Sequence, residues 1–378
     1  MLCRLLIKDP RTRQLLSEES LLSDAGGSYR VNFGDLDEYE TSARQALRLY
    51  QLDFQPIGQH DDTVVHLVVI GFGAMGQSLA LHTARIGHFA NEVGRSILPL
   101  VTVVDTAAQP IWPSFAASYP SVNKACVIDF KALDPSQPTF IADVAALAAA
   151  AGTGTQLVTY GICFPDDDER NLRVGLELAR ALAGRPVQIL IHQSTRCGFA
   201  ALFPTEGDGP RGPAQPRPFG MREDLFAWDV LLHESEDAVA AALHEDWRQV
   251  QRKKGVAEPE WSLLSDNLKD SNRQAADHIA VKLRAIGYHA APLRPNQPRI
   301  DGFDDAQTLL LAKMEHQRWW AERCLSGWQC GQVRDREKKI SPYLAPWDQL
   351  PPDVQENDIS QVKAIPRVLK LAGLGIYR

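Results

Sequence analysis

The chain has 378 residues, 44% of them hydrophobic and 23% charged, with a formal net charge of −7. That is enough chain for two or three domains with their own cores, and a negative balance without a long Lys/Arg run excludes a non-specific nucleic-acid binder. Six scattered cysteines (Cys3, Cys126, Cys163, Cys197, Cys324 and Cys330) include no CxxC pair, which excludes a metal-binding knuckle and points to a reducing, cytoplasmic compartment.

Residues 1–59 read as an N-terminal connector. They lack the basic-then-apolar order of a signal peptide. Within them DLDEYETSARQALRLY (35–50) predicts an amphipathic helix, with Leu36, Tyr39, Ala43, Ala46, Leu47 and Tyr50 along one side. That face is expected to pack on the next domain, or else to contact another subunit or a membrane partner.

Residues 60–234 alternate between strands and helices. The stretch VVHLVVIGFGAMG (64–76) runs from an aliphatic, β-branched segment into Gly71, Gly73 and Gly76, and a helical pattern follows. This is the strand, tight turn and helix order of a dinucleotide-binding unit. Gly71 permits the turn, Gly73 lets a pyrophosphate approach the backbone, and Gly76 lets helix and strand pack closely. With Phe72, Ala74 and Met75 they are the candidate phosphate-binding residues, the anion sitting at a helix N-terminus. Ala74–Gly87 is then a helix, and ILPLVTVVD (97–105) a strand ending in Asp105. ACVIDF (125–130) is a strand ending near Asp129, Ala142–Ala151 an Ala-rich helix, and QLVTYGICF (156–164) a strand. DDDERNLRVGLELARAL (166–182) is a helix with acidic residues in its first turn, and PVQILIHQ (186–193) a fifth strand. Strands this apolar between helices predict an α/β, Rossmann-like, doubly wound parallel sheet covered on both faces. Asp105 is the candidate for the ribose diol, the segment 88–96 lengthening the usual spacing of about 20 residues; otherwise it is an ordinary strand-end turn residue. Asp129 is the adenine-side candidate. Val144–Phe164 is uncharged over a membrane-spanning length, but its Ala-rich start, the Gly152–Thr155 break and the β-like end predict helix, turn and strand. Pro204–Pro218 is a Pro/Gly-rich loop, PFGM a short edge strand, and Arg222–Leu232 a helix.

Residues 235–378 contain a tandem repeat, with a first copy at 235–290 and a second at 305–378. ALHEDW (242–247) and MEHQRW (314–319) each place a His one helical turn before a Trp: His244 with Trp247, and His316 with Trp319. Downstream, 260–288 aligns with 346–374, matching Trp261 to Trp347, Leu264 to Leu350, Leu283 to Leu369 and Gly287 to Gly373. The second copy inserts the longer loop GWQCGQVRDREKKISPYLAP. This is a pair of small helical units.

Two resemblances follow from these residues. The second copy resembles the repeat domain of ryanodine receptors through His316-x-x-Trp319, Gly327-Trp328, Gly331, Val333-Arg334-Asp335, Pro342, Leu344 and Leu350-Pro351. The first copy is similar more loosely, through His244-x-x-Trp247 and Ser271-Asn272-Arg273, and lacks the Gly-Trp…Arg-Asp loop. Residues 60–234 resemble the RCK or TrkA-N domain that regulates potassium conductance, through GFGAMG, Asp105 and DDDERNL, although Ile128-Asp129 stands where that family often has Gly-Asp. The resemblance to ryanodine receptor repeats implies a clamp in which Trp247 and Trp319 stack on an adenine base, with His244, His316, Asn272, Arg273 and Arg334 supplying polar or phosphate contacts. The RCK resemblance implies NAD(H) or an adenine nucleotide such as ATP or ADP, bound for regulation. It also implies a homo-oligomer and a membrane channel or other effector as partner, reached directly or through a membrane segment ahead of the glycine turn.

Taken together, the expected function is a nucleotide-sensing regulatory protein controlling an ion channel, transporter or signalling effector. One alternative is an NAD-dependent oxidoreductase, for which His192-Gln193-Ser194 after the fifth strand is the nearby candidate proton donor. The other is a non-catalytic interaction scaffold. The sequence has no HExxH, nucleophile elbow or P-loop lysine, so no catalytic residues are assigned and no metal site is expected.

Overall fold

The computed structural model describes residues 2–6, 32–95, 97–150, 155–196, 214–227, 237–295 and 297–378. Strands β1 (Leu2–Leu6) and β2 (Asn32–Leu36) pair in parallel ahead of helix α1 (Glu38–Leu49). The predicted amphipathic helix is thus present, starting at Asp37, whose carboxylate accepts the Tyr39 and Glu40 N–H groups. The strand pair before it had no periodic signal to announce it.

The alternating region follows as β3 (Val64–Ile70), α2 (Ala74–Ile86), β4 (Leu100–Val104), α3 (Ala108–Ser118), β5 (Val127–Lys131), α4 (Phe140–Ala150), β6 (Gln156–Ile162), α5 (Asp168–Ala181), β7 (Val187–His192), β8 (Pro216–Phe219) and α6 (Arg222–Leu225). The strands form one parallel sheet in the order β5-β4-β3-β6-β7-β8, the arrangement of a doubly wound Rossmann-like fold. β3, β6 and β7 are buried along nearly their whole length, as their predominantly apolar composition requires of inner strands. β5 and β8 are the edges, and β8 carries Pro216 and Pro218, which an edge strand tolerates. The helix at Ala108–Ser118 lies between two predicted strands and is not among the predicted elements; Pro110 and Pro113 are unfavourable residues for one. Pro110 sits in the first turn, where its missing N–H costs nothing. The loss at Pro113 is offset by packing: Trp112 and Phe115 bring their rings to 5.1 and 6.2 Å from Phe130. The helix predicted over Arg222–Leu232 ends at Leu225; its last residues lie outside those described. No helix among the described residues is long and apolar enough to cross a membrane.

The chain divides into two compact units: Met1–Tyr50 with Val69–His82 and Tyr160–Ser235, and Gln51–Val68 with Thr83–Thr159 and Glu236–Arg378. In the first, α1 packs against β8 and α6, and the Glu38 carboxylate accepts from Arg222 Nε at 2.8 Å. The second holds the repeats: α7 (Ala238–Lys253), α8 (Asp266–Ala285) and β9 (His289–Pro292), then α9 (Asp305–Leu325), β10 (Gln329–Cys330), β11 (Ile340–Ser341), α10 (Pro352–Leu371) and β12 (Leu374–Tyr377). α7 touches α8, α8 touches α9, α9 touches α10, and α10 returns to α7. β9 and β12 pair antiparallel, Leu374 opposite Pro292 and Tyr377 opposite His289. Exchanging the copies maps this register onto itself: 289 corresponds to 375 and 377 to 291, and 375 does face 291. The repeats also bind the rest of their unit. His278 Nε2 donates to the His88 carbonyl at 2.8 Å, and Arg284 holds the Asp53 carboxylate at 2.5 and 2.8 Å.

The helical ring closes on buried charge. Glu315 accepts from Lys282 Nζ at 2.5 Å, from Arg318 at 2.7 and 3.0 Å and from Gln361 at 3.0 Å, while Arg318 also donates to Glu322 at 2.7 Å. Two cations and two carboxylates balance, which is what allows them to be buried. Burial would raise the Glu315 carboxyl, but the Arg318 and Lys282 charges and their hydrogen bonds outweigh it and hold it at about 2. Glu315→Gln leaves buried positive charge unbalanced and is expected to cost about 3–5 kcal/mol at pH 7, read by urea unfolding. Because the folded value is depressed from 4.5, the contribution is complete above pH 4.5 and is lost as pH falls toward 2. The gap between wild type and variant should therefore narrow through that window and stay constant above it.

Candidate functional site

The turn after β3 is built on two glycines. Gly71 has φ +88°, and a Cβ there would lie 2.8 Å from the Cys163–Phe164 backbone at the end of β6, whose Cys163 N–H donates to Ile70 at 2.7 Å. A Cβ at Gly76 would lie 2.2 Å from the Gly71 carbonyl oxygen. No side chain fits at either position, so α2 starts hard against the strand end. Its first intrahelical bond runs from Gln77 N to Gly73 O at 2.9 Å, so the N–H groups ahead of Gln77 lack intrahelical acceptors.

Gly73, Ala74 and Met75 open onto a cavity of about 380 Å³. Its other walls come from the start of α1 (Glu38, Tyr39), the β6–α5 turn (Cys163, Pro165, Asp166, Asp168), the end of β7 (His192, Ser194) and Arg222 of α6. These side chains hold one another. The Ser194 hydroxyl and N–H both donate to Asp168 Oδ2, at 2.7 and 2.9 Å, and Arg222 is held by Glu38. His192 sits over Gly220, where a Cβ would come within 2.6 Å of its ring, and meets Phe219 edge-on at 5.6 Å. Burial lowers its pKa, with Asp168 and Glu38 opposing, so the ring is neutral at pH 7. Burial pushes the Cys163 thiol well up, so it stays protonated.

Of the predicted phosphate-binding residues, Gly73, Ala74 and Met75 line this cavity, Gly71 and Gly76 shape it, and Phe72 is core, 2% exposed. Glu38, Tyr39 and Arg222 were not foreseen. They come from segments without a nucleotide fingerprint, and the parallel pairing of β8 to β7, with α1 packed on β8, is what brings them in. Asp166 and Asp168 lie in the DDDERNL run; Asp166 has φ +53°. Asp105 follows β4, and its carboxylate accepts from Ala107 N at 2.8 Å. Asp129 lies within β5 rather than at its end, because the strand continues to Lys131, which pairs with the Asp129 carboxylate at 2.7 Å.

In the repeats, equivalent residues do equivalent work. His244 Nε2 donates to the Pro259 carbonyl at 2.9 Å and His316 Nε2 to the Ala345 carbonyl at 2.8 Å, each two residues before the tryptophan of the following turn. Each imidazole packs on the equivalent indoles, Trp247 and Trp261 or Trp319 and Trp347, with ring centroids 5.8–6.3 Å apart, and His316 also meets Trp320 edge-on at 6.1 Å. The tryptophans themselves differ. Trp247 is 44% exposed, whereas Trp319 is half-buried and carries the Arg323 guanidinium 5.7 Å from its ring. Arg273 is engaged by Asp237 and Asp270, Asn272 donates to Leu268 O at 2.8 Å, and Arg334 is exposed on the long loop. The two histidines are thus loop anchors. His244→Ala and His316→Ala are each expected to lower stability by about 0.5–1.5 kcal/mol, through loss of a part-buried hydrogen bond to the loop. Thermal unfolding without any nucleotide should show the full loss.

Residues 303–378 match the family model described as RyR domain, a match that spans α9 to β12 and so covers the second repeat copy. No curated protein matches the chain. The C-terminal fifth of the chain is therefore similar to the RyR domain, attached here to a Rossmann-like α/β fold.

Proposed function

We propose that the chain is a nucleotide-sensing regulatory protein, in which the Rossmann-like fold holds NAD(H) or an adenine nucleotide such as ATP or ADP. The observation that carries this is the glycine turn: a strand end without side chains leads into a helix start whose Gly73, Ala74 and Met75 line one cavity, and the N-terminus of a helix so placed suits phosphate oxygens. Asp105, at the end of β4, is the ribose partner on the fingerprint's logic. The RCK or TrkA-N resemblance supports a regulatory use, with a channel, transporter or signalling effector as the output and homo-oligomers as the working form. A second adenine-containing ligand stacks on the repeats, with Trp247 offering its exposed indole and Trp319 its counterpart. Regulation follows by linkage, since a ligand shifts the protein only by its unequal affinity for two states.

A second reading, an NAD-dependent oxidoreductase, draws on His192 lying in the same cavity as the glycine turn. Steady NAD(P)H consumption with a panel of small carbonyls would establish it.

Calorimetry with NAD(H), ATP, ADP and ADP-ribose tests the sensor. Gly73→Asp puts a carboxylate where phosphate is to sit, and is expected to weaken binding at the turn by about 100-fold or more while leaving the protein folded. Trp247→Ala is expected to cost about 1–3 kcal/mol of affinity for an adenine ligand at the repeats. Absence of binding by all four ligands would sink the proposal.

A further inference from the structure

The cavity at the glycine turn is short of positive charge. Among the described residues that line it, Arg222 is the one cation, against the carboxylates of Glu38, Asp166 and Asp168. Asp168 is held by Ser194, and the Arg222 guanidinium is occupied by Glu38. A phosphate at Gly73–Met75 would thus enter a cavity whose only guanidinium already serves a carboxylate, and that carboxylate would stand as a like charge on the same wall.

The two partners are held differently. The Arg222 side chain is 43% exposed, and its backbone is fixed by its N–H donating to the Ser194 carbonyl at 3.1 Å. Its long side chain can therefore change acceptor while α6 stays in place. The Glu38 side chain is 8% exposed and sits in the first turn of α1, where the Ser42 hydroxyl donates to the Glu38 carbonyl at 2.6 Å. A carboxylate that deep loses its position once its cation turns away, because an unpaired buried charge is costly. The rest of α1 has its own anchors: Ala43, Ala46 and Leu47 are buried, and Tyr50 lies under the Arg217 guanidinium at 5.1 Å.

We propose that Arg222 is the phosphate-binding cation of this cavity and that Glu38 is its placeholder, displaced when a phosphate-bearing ligand arrives. Guanidinium forks match phosphate oxygens in pairs, and a phosphate carries more charge than the carboxylate it replaces. Displacing Glu38 opens the first turn of α1 while its second half stays docked, so occupancy of the cavity is converted into a change ahead of the Rossmann-like fold. β2 ends at Leu36, two residues before Glu38, and is the next element along the chain to be affected. The exchange rests on the reading of the glycine turn as a phosphate site.

The test uses the full chain, with inorganic pyrophosphate and NAD(H) as probes in calorimetry. Glu38→Gln releases Arg222 in advance and is expected to tighten pyrophosphate binding about three- to tenfold, and Arg222→Gln to weaken it about tenfold or more. Arg222→Gln leaves a buried carboxylate without its cation; the double variant, neutral at both positions, keeps the comparison open and should bind as weakly as Arg222→Gln alone. Hydrogen exchange read by mass spectrometry should show residues 38–42 taking up deuterium faster in the wild type when pyrophosphate or NAD(H) is bound, with 43–50 unchanged. In Glu38→Gln the faster uptake should be present without ligand. Glu38→Gln weakening NAD(H) while leaving pyrophosphate unchanged would make Glu38 a ribose contact and overturn the exchange, as would bound ligand leaving residues 38–42 as protected as before. Binding that Gly73→Asp abolishes but that is indifferent to Glu38 and Arg222 overturns the exchange alone. Binding that Gly73→Asp leaves intact, or no binding at all, overturns the phosphate reading of the turn and the exchange with it.

Discussion

The close approach of Gly76 to the Gly71 carbonyl oxygen is the constraint on which the first unit depends. With no Cβ at either residue, α2 can begin immediately at the end of β3, and Gly73, Ala74 and Met75 of its start line the cavity. Any side chain at Gly76 would push the helix start away from the strand, and the β6 end would have to move with it because Gly71 rests on the Cys163–Phe164 backbone. The wall of the cavity that carries Pro165, Asp166 and Asp168 follows directly from that end. One steric fact therefore places both the anion-attracting N–H groups and the polar side chains around them.

The repeats solve a different problem. Each copy alone is two helices and a short terminal strand, with the small β10–β11 pair added in the second, too little to bury a core. Exchange symmetry supplies the missing half: helix against helix around the ring, and β9 against β12 in a register that the exchange preserves. What the symmetry cannot supply is function, since two identical copies offer two identical surfaces. The copies diverge where solvent reaches them, with an exposed Trp247 in one and an arginine held between indoles under a basic loop in the other.

Much of this was legible in the sequence because periodicity and glycine chemistry are local. The order from β3 to β7 and the turn at 71–76 follow from aliphatic runs and glycine spacing, and the match of Gly287 to Gly373 marks two helix ends that both have positive φ. The α3 helix was hidden because its prolines speak against a helix while its stabilisation comes from Phe130, a strand away. Arg222 and Glu38 were hidden for a similar reason: only the pairing of β8 with β7 and the packing of α1 put them at the glycine turn. The sequence pointed to His244 and His316 through their repetition, but repetition alone does not separate a ligand contact from an anchor. The carbonyls of Pro259 and Ala345 add the anchoring role that repetition alone does not show.

The protonation states around the cavity bear on how it would be used. A nucleophile needs its proton taken and a general acid needs one to give. Here the Cys163 thiol is held protonated by burial, and the His192 ring is held neutral. Ser194 gives its hydroxyl hydrogen and its backbone N–H to one oxygen of Asp168, which ties the end of β7 to the start of α5. Arg222 and Glu38 neutralise each other in the same way. Ser194, Asp168, Arg222 and Glu38 are thus fixed in place by one another, so the polar wall of the cavity is set by hydrogen bonds between β7 and α5 and between α1 and α6.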